Sequence, residues 1–217
     1  MARRQRLDTE LVRRHLVSGR REATELIDAG RILVNGAIAS KAAHQVDPAD
    51  AVVVSGPPAR FVSRGGEKLD AALEACGIDV TGRRVLDAGA STGGFTDCVL
   101  QRGATHVVAL DVGHGQLHPK IRDDERVTVM ERFNVRDMTI VDIGGEVDVV
   151  VADLSFISLT LVLPALLPLL KKGGALLMLV KPQFELQPEN IGKNGLVKDP
   201  AMYPVIEKRI RTSLCEL

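Results

Sequence analysis

Val85-Leu86-Asp87-Ala88-Gly89-Ala90-Ser91-Thr92-Gly93-Gly94-Phe95 is an apolar run that ends in an acid and opens into a glycine-rich turn ahead of a helical pattern. In open α/β sheets ligands lie outside the carboxyl ends of the strands, and glycine there lets the backbone come close to a cofactor. Asp87 narrows the choice. A carboxylate in that place would repel a pyrophosphate held at the helix N-terminus, whereas a cofactor with amino and sulfonium cations would tolerate it. The Gly-x-x-x-Gly-Gly spacing also departs from the Gly-x-Gly-x-x-Gly dinucleotide pattern. The residues therefore favour S-adenosylmethionine, with Asp87, Gly89, Ser91, Thr92, Gly93, Gly94 and Phe95 as its cofactor-binding edge. The bland alternative is a plain strand-to-helix connector.

Apolar runs at 84–88, 106–111, 127–131, 147–152 and 175–180 alternate with helical spans. Continuous Val/Leu runs of this kind predict strands buried on both faces, hence a Rossmann-like, doubly wound α/β fold with a mostly parallel sheet. Asp111 ends the second run, where an acid can accept hydrogen bonds from both ribose hydroxyls of an adenosine. Because Asp111-Val112-Gly113 is itself turn-like, a turn aspartate remains the alternative. Asn134 follows the third run and either lines an adenine pocket with Val112 or belongs to an ordinary loop. Asp153 and Lys181 end the fourth and fifth runs, which places both on one rim. A lysine emerging from four apolar residues loses hydration unless something pairs with it or uses it. Singly, Lys181 reads as a snorkelling lysine and Asp153 as a helix cap; together at the expected methyl-donor edge they point to a site.

The chain has 217 residues, 45% of them hydrophobic, which suits a full domain plus a smaller module. We expect residues 1–57 to form the small α+β module, 58–62 a linker around the Gly-Pro-Pro break, and 63–217 the larger domain. A formal net charge of zero conceals an asymmetry. Residues 1–21 carry seven arginines against Asp8 and Glu10, five net positive charges that suit a polyanion or simply a solvated helix face. Three scattered cysteines without metal-ligand spacing, and no apolar leader, suggest a cytoplasmic protein with reduced thiols and no metal. The greasiest stretch, residues 159–170, is too short to span a bilayer. With no tryptophan, one tyrosine and five phenylalanines, a multi-aromatic platform for stacking bases is not expected.

Within the first module, Leu7, Leu11, Val12 and Leu16 recur at helical spacing, Ala23, Leu26 and Ile27 do so again, and Asn35-Gly36 joins two short strand patterns. Arg6-Leu-Asp8, Leu11-Val-x-Arg14, Arg20-x-x-Ala23-x-x-Leu26-Ile27 and Gly30-x-Ile-x-Val34-Asn35-Gly36 resemble the S4-like RNA-binding domain, with Gly19 where a capping serine is usual. That resemblance implies that Arg3, Arg4, Arg6, Arg14, Arg20 and Arg21 bind RNA.

Ser63-Arg-Gly-Gly-Glu-Lys68, Asp87 to Phe95, Asp153-Leu-Ser-Phe-Ile-Ser158 and Lys181-Pro-Gln-Phe-Glu185, set behind such a module, resemble the TlyA (hemolysin A) family of ribosomal RNA 2′-O-methyltransferases, which belongs with the FtsJ-like enzymes. The resemblance implies S-adenosylmethionine as cofactor, ribosomal RNA in ribosomal subunits as partner, a cytidine ribose as target, and a Lys-Asp-Lys-Glu tetrad. By motif its first three members fall on Lys68, Asp153 and Lys181, with Lys181 as the base. The fourth, a glutamate, is expected in a strand beyond Leu217; Glu185 belongs to another motif. Five strands rather than seven suggest a truncated product, inactive or poorly active, that self-associates through an exposed sheet edge. Competing readings are a non-catalytic RNA-binding scaffold, a small-molecule methyltransferase, and a membrane-active hemolysin; the last is disfavoured by the absence of a spanning or strongly amphipathic segment.

Overall fold

The computed structural model describes residues 4–17, 19–57 and 59–217, so that Arg3 lies outside the described residues. Its contacts divide the chain into Met1–Ala59 and Arg60–Leu217. The division falls inside the span expected as linker, but Phe61 at the end of that span is 3% exposed and packs in the core of the second unit.

The first unit runs β1 (Gln5–Arg6), α1 (Leu7–Arg13), α2 (Arg20–Asp28), β2 (Ile32–Val34), β3 (Ala37–Ile38), β4 (Gln45–Val46) and β5 (Val52–Val54). Leu7 and Leu11 on α1, and Ala23 and Ile27 on α2, sit one turn apart and bury the same face of each helix against Ile32, Val34 and Val52. Asn35 and Gly36 take φ of 51° and 84°, the positive angles a tight hairpin needs, and so join β2 to β3 in antiparallel register. β5 pairs on the other side of β2. The β1–β4 pair, two residues on each side, is too short to leave a period in the sequence.

The second unit continues with α3 (Gly65–Cys76), β6 (Arg84–Ala88), α4 (Gly94–Gln101), β7 (His106–Asp111), α5 (Pro119–Arg122), β8 (Val127–Glu131), β9 (Val147–Ala152), α6 (Leu163–Leu166), β10 (Leu170–Met178), α7 (Pro182–Glu185) and α8 (Met202–Cys215). Among the described residues its strands form one five-stranded parallel sheet in the order β10-β9-β6-β7-β8. Strand alternation sorts the apolar residues. Val85, Val107, Ala109, Val149 and Val151 face one layer with Leu69, Leu73 and Phe95, while Leu86, Val108, Leu110, Val150 and Ala152 face the other with Val162 and Leu166. Both faces are therefore covered, as the unbroken apolar runs require. The last strand departs from expectation at both ends. It starts at Leu170, passes an irregular register before Ala175, and stops at Met178, leaving Leu179 and Val180 exposed.

Candidate active site

Strand order reverses at β6: β7 and β8 run off one side, β9 and β10 off the other. Such a switch point splays the connecting loops apart at the carboxyl ends and leaves a crevice there. The Asp153 amide donates to the Ala88 carbonyl at 3.1 Å, which fixes the loop after β9 against the end of β6. Gly89 (φ 89°) makes this possible, because a Cβ there would stand 3.0 Å from the Asp153 carbonyl oxygen.

Asp87 is fully buried under this turn. Its Oδ2 accepts the Thr96 hydroxyl at 2.7 Å, and its Oδ1 has no partner. Burial pushes its carboxyl up to about 7, against the hydrogen bonds from Thr96 and with the charges of Asp153 and Asp111 adding to the rise. Asp111 ends the neighbouring strand. Its Oδ2 accepts the Ser91 amide at 2.8 Å and its Oδ1 the Gly113 amide at 2.7 Å, so one carboxylate holds two loops together. Each oxygen keeps a lone pair for a further donor. Val112 beside it is 69% exposed, an apolar surface at the rim. Phe133 donates its amide to the Asp111 carbonyl at 3.2 Å, which brings Asn134 to the same rim, where it caps a short 3-10 turn by accepting the Arg136 amide.

Residues of the glycine-rich stretch also make packing and hydrogen-bond contacts with their own neighbours. Thr92 is exposed and accepts the His118 amide on its carbonyl. A Cβ at Gly93 would meet Leu117, and one at Gly94 would collide with Ser63 and Gly66, so these two glycines serve helix packing. The Phe95 side chain is 8% exposed and packs in the core. Thr96, the residue that actually contacts Asp87, escaped the sequence reading because a helical threonine carries no signal of its own.

On the other side of the switch point, Lys181 stands immediately before α7. Its Nζ lies 2.5 Å from Asp153 Oδ1 and donates to Ser155 Oγ at 2.8 Å. The Asp153 contact is ionic rather than a directed hydrogen bond, and both side chains are about one-fifth exposed (20% and 21%). Lys68 is placed differently. It is exposed in the first turn of α3, and its side chain makes no hydrogen bond or ion pair among the described residues, so it is not joined to the other two. The loop after β9 also carries Phe156, held at φ 63° and 91% exposed, with its ring centroid 5.1 Å from that of Phe184. Aromatic counts alone do not foresee this pair, because it depends on a left-handed residue at a loop tip.

The first unit handles its charges by burial. Asp8 (3% exposed) takes Arg6 and Arg20, and Glu10 (1%) takes Arg13 and Arg14. The Arg6 guanidinium holds the Asp8 carboxyl well below its usual range, and Arg13 brings Glu10 down to about 2. Arg14 is spent inside the fold, donating also to the carbonyls of Asp47, Pro48 and Asp50. Arg20 and Arg21 keep 63% and 87% of their side chains exposed, and Arg4 is exposed. Among the described residues, no three His, Cys, Asp or Glu groups are placed to hold a metal, and no helix is long and apolar enough to cross a membrane.

A parallel doubly wound sheet with acids at the ends of adjacent strands, following a basic helix-pair module, defines a class I methyltransferase-type protein. FtsJ-like methyltransferases match over residues 61–215 and the S4 domain over residues 5–52, and the chain belongs to the FtsJ-like methyltransferase family. A Mycobacterium tuberculosis protein named 16S/23S rRNA (cytidine-2′-O)-methyltransferase TlyA is 54% identical over 203 residues, 93% of this chain and 76% of that protein. Hemolysin A of Brachyspira hyodysenteriae is 40% identical over 89% of this chain and 81% of its own length. A solved hemolysin-named structure from Streptococcus thermophilus superposes with a TM-score of 0.74 at 39% identity, covering 98% of this chain and 78% of that one.

Proposed function

We propose that this chain transfers a methyl group from S-adenosylmethionine to the 2′-hydroxyl of a cytidine ribose in ribosomal RNA, acting on ribosomal subunits in the cytoplasm. The observation that carries the reading is the Lys181–Asp153 pair, standing across the switch point from the partnerless oxygen of Asp87. Relatives named as rRNA (cytidine-2′-O)-methyltransferases support it.

The crevice suits such a cofactor. The buried Asp87 Oδ1 is an acceptor in want of a cation, Asp111 has acceptor capacity left for two ribose hydroxyls, and Val112 with Asn134 offers an apolar and polar flank for a flat purine. When bound, S-adenosylmethionine supplies an activated methyl group on a sulfonium centre. What the chain must add is alignment and a place for the proton, since a ribose hydroxyl is a very weak acid. Lys181 is the base: its Nζ, having released one proton to solvent, takes the proton of the 2′-hydroxyl. Ser155 and Asp153 fix the position of its Nζ, and Asp153 receives the ammonium that results. Lys68 is the remaining cation of the set. Arg4, Arg6, Arg20 and Arg21 of the first unit grip the RNA backbone, which needs exposed positive charge rather than base readout.

Lys181→Ala should lower methylation of ribosomal subunits by about a hundred- to ten-thousand-fold while RNA affinity and cofactor binding stay unchanged. Mass-spectrometric mapping of ribose methylation reads the first and filter binding the second. Undiminished methylation would remove Lys181 from the chemistry.

A further inference from the structure

Glu185 ends α7 with its side chain only 1% exposed, and three hydrogen bonds to the carboxylate, with a fourth to its main-chain carbonyl, tie it down. Its Oε1 accepts the Leu159 amide at 2.7 Å, its Oε2 accepts the Ser158 hydroxyl at 2.7 Å and the Arg209 guanidinium at 2.7 Å, and Arg209 of α8 also donates to its carbonyl. A carboxylate so enclosed has no face left for a substrate and cannot stand in for a catalytic acid. Its partners say what it does instead. Lys181 is the extended residue that leads into α7, and Phe184 and Glu185 are the last two residues of that short helix. They meet, in the same order, Asp153 with Ser155, Phe156, and Ser158 with Leu159. Two irregular segments, each too short to hold itself, are thus fastened at three successive rungs.

We propose that Glu185 is a positioning residue: it anchors the far end of the 153–159 loop to α7 and so fixes Asp153 and Ser155 against the Lys181 Nζ. This rests on the reading of Lys181 as the base. With the Glu185 rung removed, the loop pivots on its β9 end, Nζ loses its fixed place, and proton removal slows while the binding surfaces for cofactor and RNA keep their shape. Misplacement of about 1 Å at a reacting group is enough to cost on the order of a hundred-fold.

The test is kinetic and chemical on the full chain. Glu185→Ala should lower kcat at least ten-fold with KM for RNA and the cofactor Kd within two-fold. Glu185→Gln should restore part of kcat, since its amide oxygen still accepts the Leu159 amide and its NH2 can donate to Ser158, while Arg209 keeps only the main-chain carbonyl. Glu185→Asp, one methylene short, should not. Ser158→Ala should cause a smaller loss that does not add to that of Glu185→Ala. Independently of methyl transfer, acetic anhydride labelling of Lys181, read by peptide mass spectrometry, should quicken several-fold in Glu185→Ala and not in Glu185→Gln, with Lys120 as an unchanged control. Unaltered kcat and labelling in Glu185→Ala, or a kcat loss matched by equal losses of cofactor affinity and melting temperature, would overturn the proposal. If Glu185→Ala does not fold, Glu185→Asp and Ser158→Ala decide it: wild-type kcat and labelling in both defeat it. Should Lys181→Ala keep its activity, the base reading fails alone, because the labelling ratio still reports whether Glu185 holds the loop.

Discussion

Asp87 is a buried acid whose enclosure costs stability at neutral pH. Its carboxyl stands near 7 in the fold and near 3.8 in the unfolded chain, so the native state holds an extra proton between those values. Stability therefore falls as pH climbs from about 4 to about 7 and stays lowered above that. Asp87→Asn should raise unfolding free energy at pH 8 by roughly 1–3 kcal/mol and change nothing below about pH 4, while weakening cofactor binding. Urea melts at the two pH values, with isothermal titration alongside, check all three. The acid and its strand position are plain in the sequence. The missing partner for Oδ1 is not, because it depends on which side chains the fold brings within reach, and Thr96 reaches only the other oxygen.

At the scale of elements, α1 and α2 divide their arginines between holding the fold and facing outward. The repeated arginines of the first 21 residues all read alike as a basic face, yet Arg14 is turned into the loop at 47–50 and Arg21 outward. Arg14→Ala should destabilise the first unit by about 1–3 kcal/mol through the carbonyls and the buried Glu10 it abandons. Arg21→Ala should leave the melting temperature within a degree or two, weaken RNA binding, and reduce the dependence of log affinity on log salt by about one. Calorimetry and salt-series filter binding separate the two. The strands were legible because a two-sided sheet needs uninterrupted apolar runs, and four of the five begin and end where the runs do. β10 differs from its apolar run at both ends, since its start depends on an irregular pairing with β9 and its end on where that pairing stops.

For the molecule as a whole, Cys98 offers a probe of global opening. It lies at 0% exposure between α4 and the sheet, where burial, with the Asp70 charge adding, pushes its thiol up to about 12. Cys76 and Cys215 are exposed. Iodoacetamide should modify those two promptly and Cys98 only as the second unit unfolds, and saturating cofactor at a hundred times its Kd should slow that step about a hundred-fold. Early labelling of Cys98 would mean that this core opens locally.

By itself the sequence determined the parallel sheet and the acids at its strand ends, because strand burial and turn chemistry are local and periodic. Only the tertiary structure decided that Lys181 meets Asp153 and Ser155, that Phe95 belongs to the core, and that Glu185 ties two loops together. Those outcomes depend on loops whose shape is set by the neighbours they fold against, and residue order carries no period that records such contacts.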